Sequence, residues 1–217
     1  MISRMFLGLV LSAGLAGLGG CSNINVNQTG KVKPSVSVPK NTKEGYWKQR
    51  QQLLAKDSTW NLNSKVALRY RAEHFTFGLN WAQKNAQQYV MLINNPVTGG
   101  MVAKLSRDRA GVSLLSDDGK TYRDTDEERL LKRQSGIELP LKGMQYWARG
   151  LTSPKYKTDK VVLDGLGRPQ SIYQAGWKID YSRYLSNKFN AMPGKVIITR
   201  AKDSVYLKMI AKRWQGI

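Results

Sequence analysis

Trp60-Asn61-Leu62-Asn63-Ser64-Lys65-Val66-Ala67-Leu68-Arg69-Tyr70, followed after a short break by Phe75-Thr76-Phe77-Gly78-Leu79-Asn80-Trp81, is the stretch on which the fold turns. Trp60, Leu62, Val66, Leu68 and Tyr70 fall on one side of an extended chain, and Asn61, Asn63, Lys65 and Arg69 fall on the other. Phe75, Phe77, Leu79 and Trp81 repeat the pattern. A period of two with one apolar and one wet face is the signature of half-buried antiparallel strands.

Working outward, the same pattern predicts strands at Gln88 to Asn94, Met101 to Ser106, Gly111 to Ser116 and Lys120 to Arg123, with turn pairs such as Asp118-Gly119 between them. The alternation stops at Asp124. Thr125 is expected to cap a helix through Glu127, Glu128, Leu130 and Leu131 to Gln134, with acids first and Lys132 and Arg133 last as the helix dipole favours, and Gly136 to end it. A second helix from Leu141 to Arg149 brings Met144 and Trp147 to one side. Strands resume at Lys160 to Leu166, Gln170 to Gln174, Trp177 to Tyr184, Lys195 to Arg200 and Val205 to Trp214. Upstream, Glu44 to Lys56 reads as a short helix, with Trp47 and Leu54 one repeat apart and Leu53 beside them. So many short strands with so few helices lack the crossovers a parallel sheet requires. The expected fold is mainly β (α+β): one curved antiparallel sheet forming an unclosed barrel, with short helices over its concave side. A closed barrel is the rival.

The amino terminus carries a different kind of signal. Arg4 precedes an apolar run from Met5 to Leu18 that is interrupted by Ser12 and glycines, too short to span a bilayer and consistent with a signal peptide over residues 1–20. It ends in Leu18-Gly19-Gly20-Cys21, which resembles the bacterial lipobox. Cys21 is the only cysteine, and a lone thiol in an oxidising compartment is well explained as a lipid acceptor. Ser22 stands where an aspartate would, by resemblance to enterobacterial lipoproteins, signal retention at the inner membrane. The expected location is therefore the outer membrane, lipid-anchored on its periplasmic face. Residues 21–43 are rich in Asn, Ser, Thr, Pro and Lys without periodicity and read as a flexible tether, with a coil span of roughly 25 Å and an extended reach of about 70 Å. Residues 44–217 then form one domain.

Lys and Arg number 35 against 15 Asp and Glu, for a net charge of +20. Such a balance suits phosphates, but an exported chain meets anionic lipid headgroups and acidic proteins rather than nucleic acid, and the cations are dispersed. Catalysis lacks its parts. His74 is the only histidine and is expected on the wet face of its strand, Cys21 is committed to lipid, and Asp117-Asp118 and Asp126-Glu127-Glu128 sit where turns and helix starts favour acids. A metal site fails on the same shortage, and no G-x-x-x-x-G-K-[ST] sequence supplies an energy source. No cofactor is expected beyond the covalent lipid.

Several pieces in order carry a resemblance. They are Trp47-Lys48-Gln49-Arg50-Gln51-Gln52, Trp81-Ala82-Gln83, Asn95-Pro96-Val97, Gly136-Ile137-Glu138-Leu139-Pro140-Leu141, Trp147 with Gly150, Trp177 with Tyr181, and Met192-Pro193. With the lipobox upstream, the chain resembles the LolB family of outer-membrane lipoprotein receptors over nearly the whole mature sequence. The resemblance implies an unclosed barrel with a helical lid over an apolar cavity, no enzymatic activity, and partners comprising the periplasmic carrier LolA, lipoprotein acyl chains and outer-membrane phospholipids, with the receptor a monomer.

The candidates to line such a cavity are Leu68, Phe75, Phe77, Leu79, Trp81, Tyr89, Met91, Met144, Trp147, Trp177, Ile179, Tyr181 and Met209. Alternation alone reads each of them equally well as an ordinary core residue. In the loop after Asn95, Pro96 fixes the turn and Val97 stands at the tip. The residues alone make Val97 a turn residue. The resemblance implies more, because the family carries an exposed apolar residue there, usually leucine, that delivers lipoproteins to the membrane. The competing reading is a lipoprotein that binds another lipid, such as lipopolysaccharide or phospholipid, or serves as a scaffold.

Overall fold

A computed structural model describes residues 41–216. The signal segment, Cys21 and nearly all of the tether lie outside the described residues.

Eleven strands form one antiparallel sheet: β1 (Trp60–Tyr70), β2 (Glu73–Asn85), β3 (Gln88–Asn94), β4 (Met101–Asp108), β5 (Gly111–Ser116), β6 (Thr121–Asp124), β7 (Thr158–Leu163), β8 (Pro169–Gln174), β9 (Trp177–Tyr184), β10 (Pro193–Arg200) and β11 (Val205–Gln215). Every position of β1 predicted to face inward is buried, and Ser64 joins them. The order is β6-β5-β4-β3-β2-β1-β11-β10-β9-β8-β7, so β1 and β11 pair at the centre and β6 and β7 are the two free edges. The sheet is not closed, as the unclosed reading expects. Most neighbours are joined by tight turns. In one of these Gly119 sits at φ 80, a value glycine tolerates. The free edge β7 slips register after Thr158 and again after Val162, irregularity that discourages pairing with another chain.

The stretch between the two free edges carries the helices α2 (Glu127–Ser135) and α3 (Leu141–Trp147). Asp126, rather than Thr125, is the N-cap of α2: its carboxylate accepts from the amides of Glu128 and Arg129 at 3.0 and 2.9 Å. The next-door Asp124 is already held by Arg129 and Arg133, which leaves Asp126 turned toward the helix. Gly136, at φ 70, ends the helix as predicted. α3 stops at Trp147, two residues earlier than the pattern suggests, because the chain turns at Gly150 (φ 69), where a Cβ would come within 3.0 Å of the Arg50 guanidinium.

The remaining helix, α1 (Lys43–Lys56), differs from the amphipathic reading. Its buried positions are Gly45, Arg50 and Leu54, while Trp47 is half-buried and Leu53 exposed. Arg50 turns inward because backbone carbonyls surround it. Its guanidinium donates to Arg149 O (2.6 Å), Ala191 O (2.8 Å), Phe189 O (2.9 Å) and Gly150 O (3.3 Å). Arg149 in turn donates to Leu54 O and Asp57 O, both at 2.8 Å, at the carboxyl end of α1, where a cation is favoured. Burial pulls the Arg149 guanidinium down to about 10 and lowers Arg50 as well. The start of α1 lies on the β7–β8 turn, where a Cβ on Gly167 would meet the Tyr46 Cβ at 2.6 Å.

Candidate functional site

The concave face of the sheet and the inner faces of α2 and α3 meet in one continuous apolar cluster. From the helices come Leu130, Leu141, Met144 and Trp147, all buried. From the sheet, Leu68, Leu79, Trp81, Tyr89, Met91, Trp177, Ile179, Tyr181 and Met209 belong to the same cluster; Phe77 packs on its margin and Phe75 is exposed. The structure thus brings together twelve of the thirteen cavity candidates and leaves Phe75 at the rim. Leu130 and Trp147 of the lid are fully buried in this cluster. Two clefts flank the lid, both open to solvent. One of about 400 Å³ lies between the end of α1 and α3, beside Trp60 and Tyr146, and one of about 340 Å³ between α2 and β9, beside Leu139 and Trp177.

Polar contacts fix the lid at its margins. Trp147 Nε1 donates to Gln174 Oε1 at 2.8 Å, and the Tyr181 hydroxyl donates to Trp147 O at 2.9 Å, so the largest lid side chain is bonded to β8 and β9. Burial pushes the Tyr181 hydroxyl far above its usual range, which keeps it a donor. The fully buried Gln174 also accepts from Ser153 N (2.9 Å) and donates to Thr158 Oγ1 (2.9 Å). At the start of α2, Arg107 pairs with Glu127 and Lys142 with Asp126. The Arg129 guanidinium holds Asp124 well below the usual carboxylate range. For Asp126, burial alone would raise the carboxyl, but Lys142 and the helix amides outweigh it and the net direction is down.

Tyr89, on the inner face of β3, is buried with a hydroxyl that has no hydrogen-bond partner. Burial and the nearby Glu127 push it up, so it stays protonated. A buried unpaired hydroxyl costs about 1–3 kcal/mol. Tyr89→Phe is therefore expected to raise stability by about 1 kcal/mol, measurable as an upward shift of the urea midpoint with unchanged slope. A lowered midpoint would show that the hydroxyl is paired after all.

The loop between β3 and β4 is small and internally bonded. Asn95 Oδ1 accepts from Val97 N (2.9 Å) and Thr98 N (3.1 Å), Asn95 N donates to Gly100 O (2.8 Å), and Gly99 N returns to Asn95 O (3.0 Å). Gly99 lies at φ 76. The result is a turn that needs nothing from Val97, whose side chain is 90% exposed beside the exposed Pro96.

His74 is exposed and lies opposite Arg69 on the outward face. Asp118 is drawn to about 2 by its bond to Lys120, as befits a turn acid. Among the described residues no His, Cys, Asp and Glu group has the makings of a metal site, and no helix is long and apolar enough to cross a membrane.

The family model described as "Outer membrane lipoprotein LolB" matches residues 58–214. The chain belongs to the LolB family. Proteins named outer-membrane lipoprotein LolB match most of it: 29% identity with that of Chromohalobacter salexigens over 98% of this chain and 91% of the relative, and 30% with that of Nitrosomonas europaea over 91% and 87%. The relative in Nitrosococcus oceani is 31% identical over 78% of this chain and 82% of its own length. Among solved structures, a LolA superfamily protein of Nitrosomonas europaea has a TM-score of 0.50 at 9% identity, covering 80% of this chain and 93% of that one, which speaks for the fold alone. LolB-family proteins are carriers and receptors of lipoproteins and not enzymes.

Sequence reasoning missed Arg50, Arg149 and Gln174. For Arg50, the polar neighbours Lys48, Gln49, Gln51 and Gln52 give no sign of burial, and nothing local shows that four carbonyls converge on one guanidinium. For Gln174 the available signal was parity: it lies on the inward row of β8 with Ile172.

Proposed function

We propose that this chain is held by a lipid on Cys21 at the periplasmic face of the outer membrane, accepts lipoproteins from the carrier LolA, shelters their acyl chains beneath the lid, and releases them into the bilayer. The observation that carries this reading is the bridging of both free sheet edges by one helical segment whose inner face continues the apolar interior.

The physical logic is one of substitution. Acyl chains exposed to water cost about 0.8 kcal/mol per CH₂, so a receiver must cover them throughout. Leu130, Met144 and Trp147 occupy the interior when no guest is present, which spares the protein a wet hollow. A guest chain that displaces the lid replaces apolar contact with apolar contact. Its cost is the loss of the lid's polar contacts, those of Trp147 with Gln174 and Tyr181 and the ion pairs of Glu127 and Asp126. Transfer then runs downhill if acyl chains are held more tightly here than by the donor and more tightly still by the bilayer.

The test is the transfer itself. LolA loaded with a radiolabelled lipoprotein is mixed with the full chain, and label is expected to move to the chain and then to added phospholipid vesicles. Label that stays on the carrier would overturn the receptor reading, and capture of lipopolysaccharide or free phospholipid in its place would point to a different lipid-binding role.

A further inference from the structure

We propose that acyl chains leave the interior along the inward-facing ends of β2, β3 and β4, over Phe77, Phe75, Ile93 and Ala103, and meet the bilayer at Val97. This inference rests on the receptor reading and adds a route to it.

Register defines the relevant pole. Tyr70 pairs with Glu73 and with Val205, Asn94 with Gly78 and Met101, and Arg200 with Val205, so the β1–β2 turn, the β3–β4 loop and the β10–β11 turn share one end of the sheet. Toward that end the inward rows of three adjacent strands become progressively uncovered. Along β2, exposure rises from 1% at Trp81 and 6% at Leu79 through half-buried Phe77 to 37% at Phe75. On β4, Leu105 at 3% is followed by half-buried Ala103, beyond which the strand bulges and Met101 pairs with Asn94 on the outward row; on β3 buried Met91 is followed by half-buried Ile93.

The other strands do the opposite at the same pole. Tyr70, Val205, Leu207 and Trp177 stay buried to the strand ends. There the chain beyond α2 is secured by Glu138, which pairs with Lys132 at 2.6 Å and approaches Arg200 at 4.0 Å, and Arg200 covers the Trp177 ring at 4.2 Å. The lid therefore seals one half of the pole and leaves the β2–β4 half open. A fatty chain needs an apolar surface unbroken from shelter to bilayer, because each methylene crossing water carries the penalty given above. The described strand ends offer such a surface at β2–β4, and the loop carrying Val97 joins two of those three strands.

The chain's single cysteine, taken up by lipid in the mature protein, makes an introduced cysteine the sole free thiol. A benzophenone is attached at Phe75→Cys, at Ile93→Cys, and at Ala110→Cys, which is exposed in the β4–β5 turn at the opposite pole. Each labelled chain receives a lipoprotein with radiolabelled acyl chains, or its unacylated polypeptide, and is irradiated. Cross-linking of the acylated form at positions 75 and 93, none at 110, and none of the unacylated form is the expected result. In parallel, the double variant Phe75→Asn, Ile93→Asn is expected to accept cargo but to release it into vesicles roughly tenfold more slowly. Equal labelling at 110, equal labelling by the unacylated polypeptide, or transfer that proceeds without labelling at 75 and 93 would overturn the track and leave the receptor role standing. A lipoprotein that never leaves LolA would bring down both.

Discussion

Val97→Glu will leave the fold and the acceptance of lipoproteins intact and will stall their passage into the membrane. The side chain is 90% exposed, and the loop is held by Asn95, Thr98 and the backbone, so nothing structural depends on it. Under the proposed function, what depends on it is entry into the bilayer. A charged group at acyl depth costs on the order of 3 kcal/mol, which corresponds to roughly a hundredfold slower delivery if the tip inserts in the rate-limiting step. Thermal unfolding and uptake from LolA should match the parent, while release into phospholipid vesicles collapses. Val97→Leu, which restores the residue that the resemblance leads one to expect, should deliver at least as fast as the parent. Normal delivery by the glutamate variant would strip the loop of its role.

The second large effect lies far from any membrane contact. Arg50→Met is expected to destabilise the chain by about 3–5 kcal/mol, the range for removing one side of a buried charged network. Methionine fills much of the volume but strands the carbonyls of Arg149, Gly150, Phe189 and Ala191, which converge on the guanidinium from two separate segments. Arg50→Lys should recover little, since a single ammonium cannot reproduce a planar fork of donors. Urea unfolding followed by tryptophan fluorescence reads the loss as a lower midpoint. A change below about 1 kcal/mol would mean that water takes over these carbonyls at little cost.

These two residues also mark what the sequence makes legible. The strands of the sheet could be read because one face is wet and the other dry, so composition alternates with the side chains. Where both sides carry other duties the reading slips: β2 begins at Glu73 rather than Phe75, and β7 spans Thr158–Leu163 because Asp164 turns the chain, accepting from Leu166 N and Arg168 N at 2.9 Å each. The lid was legible as a break in period at Asp124, and its inner residues Met144 and Trp147 as apolar partners. Whether the interior is hollow or filled was not, because a leucine facing a guest and a leucine facing Trp147 obey the same period. Arg50 was illegible for the complementary reason. Its charge argues for the surface, and only chain segments about a hundred or more residues away make its burial tolerable. Phe75 could be assigned to the inward row, but its exposure is set by where the lid ends.

The pairing of the first strand with the last has a consequence for how this molecule comes into being. β1 can complete its hydrogen bonds only after β11 has been made and exported, so the two sheet halves cannot be zipped together while the chain is still emerging. Contacts between such distant parts of a sequence form slowly. Until they form, rows of leucine, tryptophan and methionine stand bare to water, and the half-made sheet is at its most prone to stick to other chains during that interval.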